Sequence, residues 1–417
     1  MIKSLGITAA VTLASMALPA LAQDANETPE PNPFLEAVSE SIIDIERADG
    51  GGLTGEGWDR LITEADAAHF FLIGETHSTA DIALVASALH REIAPFGYDH
   101  LVVEMGPWST RFAEGLIRES DTALADHIAA PGNAFDLPFL SAKEEIDFLI
   151  QAVKLSRHDT TVLWGVDQEF IAAGQILAEV LSGSATTDAQ RKAAEAFTAG
   201  AASSFMHLGA APQAEINALV AAFADGPDDP RALSEAIALS HRVYGPFVRG
   251  TGPIYPANLE RENYMKANFL KHFREAEDRL GTPPKALFKF GGFHMAQGLS
   301  GTNVPSFGNF VMEWGRSRNL KSVHIMIDCL SGEAWAIQQN GPRPCKPYAL
   351  EEGSLIMEAL RGRDAALLDL RSLRPKLRSS TEIDAKTRDL ILSFDYYLAL
   401  RDVKAGTPAA DLTFPPQ

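Results

Sequence analysis

The chain has 417 residues, 46% hydrophobic and 22% charged, with 36 basic against 55 acidic side chains and a formal charge of −19. That length suits one large domain or two ordinary ones, and the apolar content excludes a disordered chain. The acidic surplus argues against nucleic acid or anionic lipid as a partner, and no apolar run beyond the N-terminus is long enough to span a bilayer.

In chain order, residues 1–22 read as a secretory signal peptide. Lys3 supplies the positive start, Ile7 to Leu18 the apolar stretch, and Ala20-Leu21-Ala22 the small-x-small cleavage pattern. An uncleaved N-terminal anchor is the alternative. The pattern implies a periplasmic or secreted protein with no stable membrane insertion after cleavage. Residues 23–33, rich in Pro, Glu and Asn, read as a flexible leader, 34–405 as a single domain, and the Pro- and Ala-rich 406–417 as a flexible tail. Two cysteines, Cys329 and Cys345, form an even pair in an oxidising compartment. They are expected to form a disulfide that contributes about 3 kcal/mol.

Apolar spacing at Phe34, Leu35, Val38, Ile42 and Ile45 predicts a helix over 34–45. The glycine-rich stretch Gly50 to Gly55 lacks a following Gly-Lys-Ser/Thr and reads as a plain loop. Short apolar runs at 70–73, 101–103, 161–166, 286–290 and 323–327 predict buried strands. Between the first two, Ile82, Val85, Leu89 and Ile93 share a helical face, with Ser78 and Asp81 as a capping box. Residues 171–280 are almost wholly helix-like and read as a helical insertion capping the sheet on one side. Two further helices are expected after Leu350, one running from Lys386 to Leu400. The alternation predicts an α/β fold: three layers, α/β/α, around a mixed, largely parallel sheet.

The chemistry sits at the strand ends. The first run stops at Gly74-Glu75-Thr76-His77, the second at Glu104-Met105-Gly106, the third at Asp167-Gln168-Glu169 and the fourth at Gly291-Gly292-Phe293-His294. Parallel strands bind ligands at their carboxyl ends, so Glu75, His77, Glu104, Asp167 and His294 are expected to converge on one cleft. Any one of them alone reads as a cap or a solvated loop residue; the fourfold coincidence points to a site. Two mechanisms fit. In one, His77, His294 and Glu104 or Asp167 hold a divalent metal ion that acidifies water. In the other, His77 is the general base and Glu75 or Glu104 orients its ring. No H-E-x-x-H and no G-x-S-x-G occurs, so neither a zincin helix nor a serine nucleophile elbow is supported.

These motifs together resemble the erythromycin esterase, ChaN-like and Tiki superfamily. The resemblance rests on F-L-I-G-E-T-H at 71–77, L-V-V-E-M at 101–105 and F-K-F-G-G-F-H at 288–294. L-W-G-V-D-Q at 163–168 and R-E-N-Y-M-K-A-N at 261–268 are looser matches. Two departures stand out: Glu75 precedes His77 by two residues, where those esterases place it three before, and Gly291 stands where they carry another histidine. The resemblance implies a hydrolase of ester or amide bonds, acting on a small molecule or a peptide. Glu75, His77, Glu104, His294 and Arg261 would be catalytic, with Asp167 and Asn268 at the substrate. Tiki-like members imply a metal peptidase with His77, Glu104 and His294 as ligands. ChaN-like members imply haem binding without turnover. A buried Glu104–Arg261 ion pair and an Asp167 helix cap are the structural alternatives. His90, His207, His241 and His324 read as ordinary. Trp108, Tyr255 and Tyr264 are either cleft or core.

Overall fold

The five apolar runs become five neighbouring parallel strands of one eight-stranded sheet in the structure, a computed structural model that describes residues 33–158, 161–378 and 381–412. Residues 1–22, read above as a signal peptide, all of 23–33 but Pro33, and 413–417 of the expected tail lie outside these residues. The strands are β1 (Ile42–Ile43), β2 (Phe70–Glu75), β3 (His100–Val103), β4 (Leu163–Gly165), β5 (Ala286–Gly291), β6 (Ser322–Cys329), β7 (Ala365–Asp369) and β8 (Tyr396–Leu400). Their spatial order is β1-β7-β8-β6-β2-β5-β3-β4. From β8 to β4 every neighbour is parallel; β1 and β7 add an antiparallel edge. The expected α/β/α sandwich is therefore present.

Side chains alternate across a strand, and the two faces of β2 show it. Phe71 and Ile73 join a core with Leu61, Ile82, Val85 and Leu89 from the Glu56–Ala67 and Ala80–Ile93 helices. Phe70 and Leu72 join the opposite core with Met265, Phe269 and Phe273 of the Ile254–Leu280 helix. There Phe70 meets Phe269 edge-on at 5.7 Å, and Phe269 meets Trp314 edge-on at 5.5 Å. Each such buried ring contributes about 1.5–3 kcal/mol by leaving water.

The helical stretch divides in two. Helices Gly174–Ser184, Asp188–Ser203, Gln213–Phe223 and Asp228–Arg249 close on their own core of Leu177, Phe197, Leu219, Phe223 and Ile237. The Ile254–Leu280 helix instead covers the sheet, so the expected insertion 171–280 includes one helix of the main sandwich.

Four expectations change. The helix from Pro33 ends at Glu40, and Ile42 and Ile43 pair with Leu368 and Leu367 at the sheet edge. The helix after β2 begins at Ala80 with Thr79 as N-cap, and no side chain caps it; Asp81 instead accepts from the Lys404 amide at 2.6 Å. Ser78 has φ 71°, which turns it out of capping position. The helix Ala385–Ser393 stops well before Leu400, because Asp395 exchanges backbone and side-chain hydrogen bonds with His324 and starts β8. Residues 406–412 are held rather than loose: Gly406 N–H donates to Ser78, Lys143 N–H to Thr407 and Ala409 N–H to Ser141. The disulfide Cys329–Cys345 is formed. No helix among the described residues is long and apolar enough to cross a membrane.

Candidate active site

Parallel register brings the strand ends level. Glu75 lies opposite Gly291 on one side and Ile327 on the other. Beyond it the Thr76 hydroxyl donates to Asp328 at 2.6 Å, and the left-handed Ser78 turns the chain back over the sheet. His77 is thereby folded across the strand ends. Its Nδ1 donates to Glu75 Oε1 at 2.9 Å, and its Nε2 stands 3.7 Å from Glu104 Oε2. A Cβ on Gly291 would lie 2.6 Å from that Nε2, so glycine is required for the ring to seat. Phe139 covers the ring from the outside, centroids 4.6 Å apart.

Glu104 is the hub. Its Oε2 accepts the Gly291 N–H at 2.7 Å and its Oε1 accepts Arg261 Nη2 at 2.9 Å. His294 Nε2 lies 3.3 Å from the same Oε1, while His294 Nδ1 donates to Glu262 at 2.7 Å. Arg261 also forks onto Asp167, through Nε at 2.9 Å and Nη2. The ion pair and the strand-end convergence anticipated from sequence are thus the same object.

A second charged group backs the first. Lys289 enters from β5 and donates to Glu75 Oε1 and Glu145 Oε1, each at 2.7 Å. Burial disfavours every one of these charges, and their partners decide the outcome. His77 is held above its ordinary value, because the Glu75 hydrogen bond and the Glu104 charge outweigh burial. His294 is pushed up to about 9: burial and Arg261 oppose its proton, and Glu104 and Glu262 prevail. Glu75 is lowered against its burial by Lys289 and His77, and Glu104 by His294, His77 and Arg261.

A cavity of about 390 Å³ opens over this cluster. His77, Glu104, Asp167 and Arg261 form its polar end; Phe139, Phe170, Tyr244, Trp335, Ile337 and Pro408 form its walls. His294 and Glu75 do not line it and stand behind Glu104 and His77. Asn268 does not reach it either: its amide donates to the Val166 carbonyl at 2.9 Å and holds the end of β4. Trp108, Tyr255 and Tyr264 line no part of it; Tyr255 is exposed on the surface and Trp108 rests on the insertion. His90, His207, His241 and His324 are each taken up by a carbonyl or carboxylate elsewhere.

The donor set does not fit a divalent ion on His77, Glu104 and His294. Glu104 already accepts from a backbone amide and a guanidinium, and Arg261 places a fixed cation 2.9 Å from the carboxylate the ion would need. No group of three or more His, Cys, Asp or Glu among the described residues has the spacing to hold a metal.

Glu262, Lys289, Glu145 and Tyr244 were not anticipated. Lys289 carried a readable signal, a lone charge inside the apolar run 286–290. Glu262 and Glu145 had none, since their roles depend on which strand end faces them.

No protein-family model matches the sequence, and no curated protein sequence matches it. Solved structures do. The chain shares its fold with an erythromycin esterase. That structure, a mutant of EreC in its open conformation, is 14% identical, covers 84% of this chain and 95% of its own, and superposes with a TM-score of 0.59. A Bacillus cereus protein aligns at 13% identity over 90% of this chain and 98% of its own, TM-score 0.58. A protein described as a succinoglycan biosynthesis protein aligns at 12% over 90% and 97%, TM-score 0.61. At these identities the likeness concerns the fold.

Proposed function

We propose that the protein is an exported hydrolase that uses His77, without a metal, to direct water onto an ester or amide carbonyl. The observation that carries this reading is the His77–Glu75 pair beside the Arg261–Glu104 pair at the polar end of one cavity. The Glu75 carboxylate can only accept, so His77 Nδ1 carries the proton and Nε2 is free to take one from water. The water oxygen bonds to the carbonyl carbon, and the displaced oxygen charge falls to Arg261. That guanidinium spends Nε and Nη2 on carboxylates and keeps Nη1 for the substrate. Collapse of the intermediate breaks the acyl bond, and the leaving oxygen or nitrogen recovers the proton from His77. His294 supports Glu104 from behind rather than touching substrate. The signal-like residues 1–22 and the Cys329–Cys345 bond support an exported location.

The test is a screen of nitrophenyl esters and peptide amides with the mature chain, alongside its absorption spectrum and metal content. His77→Ala is expected to lower turnover on the order of 10²–10⁴-fold, with chelators having no effect. Turnover that survives His77→Ala, or that a chelator abolishes and a divalent ion restores, would overturn the reading. A Soret band dependent on His77 would point to haem binding instead.

A further inference from the structure

We propose that Lys289, anchored by Glu145, is a positioning residue: it pins the Glu75 carboxylate so that Oε1 holds His77 in one orientation. This rests on the hydrolase reading and adds to it a role for a residue inside the β5 run that the strand-end reading left without one.

Lys289 sits in the middle of β5, in register with Ile73 of β2 and Val103 of β3. Its row on that face of the sheet is otherwise apolar, and the residue is only 8% exposed. The amine reaches the carboxyl end of the sheet and finds two carboxylates, Glu75 and Glu145. Burying three charges is a poor way to stabilise a sheet; an apolar side chain of the same length would serve the fold as well or better. The geometry explains why the charge is there. Glu75 Oε1 accepts two hydrogen bonds, Lys289 Nζ at 2.7 Å and His77 Nδ1 at 2.9 Å. Without the lysine, Glu75 and Glu145 would be left as neighbouring buried carboxylates with no cation between them, and Glu75 would keep His77 but lose the contact that fixes its rotamer.

Glu145 has its own anchor. It lies in the first turn of the Lys143–Leu155 helix, and Lys143 just before it donates its amide to Thr407 of the C-terminal segment. The chain of contacts Glu145–Lys289–Glu75–His77 therefore runs from the cavity wall to the base.

The experiment is histidine-selective ¹⁵N NMR on the full mature chain, which has 11 histidines. The His77 Nδ1 proton is assigned by its loss in His77→Gln, and its exchange with water is measured. Lys289→Met is expected to speed that exchange about tenfold or more, the ratio matching one charge-assisted hydrogen bond. The His294 Nδ1 proton, held by Glu262, serves as the internal control and should not change. Glu145→Gln should speed the His77 exchange by a smaller factor, and it decides the matter alone if Lys289→Met fails to fold. Unchanged His77 exchange in the folded variants overturns the proposal. The readout needs no substrate, so a chain that hydrolyses nothing still tests the positioning. If a nitrophenyl ester is turned over, Lys289→Met should lower kcat and leave KM nearly unchanged.

Discussion

At Gly291 one hydrogen atom decides whether the base can stand in place. Gly291→Ala puts a methyl group within 2.6 Å of His77 Nε2, and the ring must move. A displacement near 1 Å costs about a hundredfold in rate. Unaltered circular dichroism with turnover reduced by that order is the expected result. The titration behaviour of the same residues gives a second prediction. His77 must be neutral to act, and its partners hold its proton above the ordinary 6.5. His294 must stay charged to support Glu104, and it loses its proton at about 9. Activity should therefore climb on the alkaline side of 6.5 and decline near 9, with apparent midpoints that belong to the coupled cluster. A profile already flat below pH 6 would contradict it.

Among the elements, the segment after β8 is the one whose role differs most from its composition. Residues 405–409 bridge Thr79 beside His77 and Ala142 beside Phe139, and Gly406 and Pro408 line the cavity. A chain ending at Lys404 keeps every strand of the sheet but loses this strap. It should fold and turn over substrate at least about tenfold more slowly, as poorly positioned groups do; full activity would show that the strap is idle. A different element sets the acid limit. His100, Trp164 and His272 stack at the outer end of the sheet, ring centroids 4.6 and 5.7 Å apart. Burial pushes His100 down to about 3, helped by Arg279, and His272 to about 4. The unfolded chain binds protons at these two sites from 6.5 downward while the folded chain does not, so stability falls as pH drops from 6.5 toward 3. Thermal melts should show the decline, and His100→Phe with His272→Phe should flatten it.

Across the whole molecule, what the sequence made legible follows from how local each signal is. Continuous apolar runs ending in Glu75, Glu104, Asp167 and the Gly291-Gly292 pair marked both the parallel strands β2 to β5 and the site, because a buried parallel strand needs both faces apolar and presents its first polar residue at the ligand edge. Arg261 was legible as a partner for Glu104. The segment 386–400 was not: Leu390, Ile391 and Phe394 fit a helical face and Tyr396 to Leu400 extend the apolar pattern, so only the Asp395 contact to His324 separates helix from strand. Lys289 showed only as a lone charge in an apolar run, and Glu262 not at all, because the role of a buried charge depends on the partner that a distant segment supplies.

The place of β8 bears on when this protein can exist as a folded object. It is the last strand among the described residues, yet it lies inside the sheet, between β7 and β6. Until residues 396–400 are available, β6 has an open edge and the antiparallel pair of β1 and β7 has nothing to join. A nascent chain therefore lacks the piece that closes the sheet, and long-range parallel pairing of this kind forms slowly. The arrangement delays the assembly of the sheet, and with it the cavity over its strand ends, until residues 396–400 have been made.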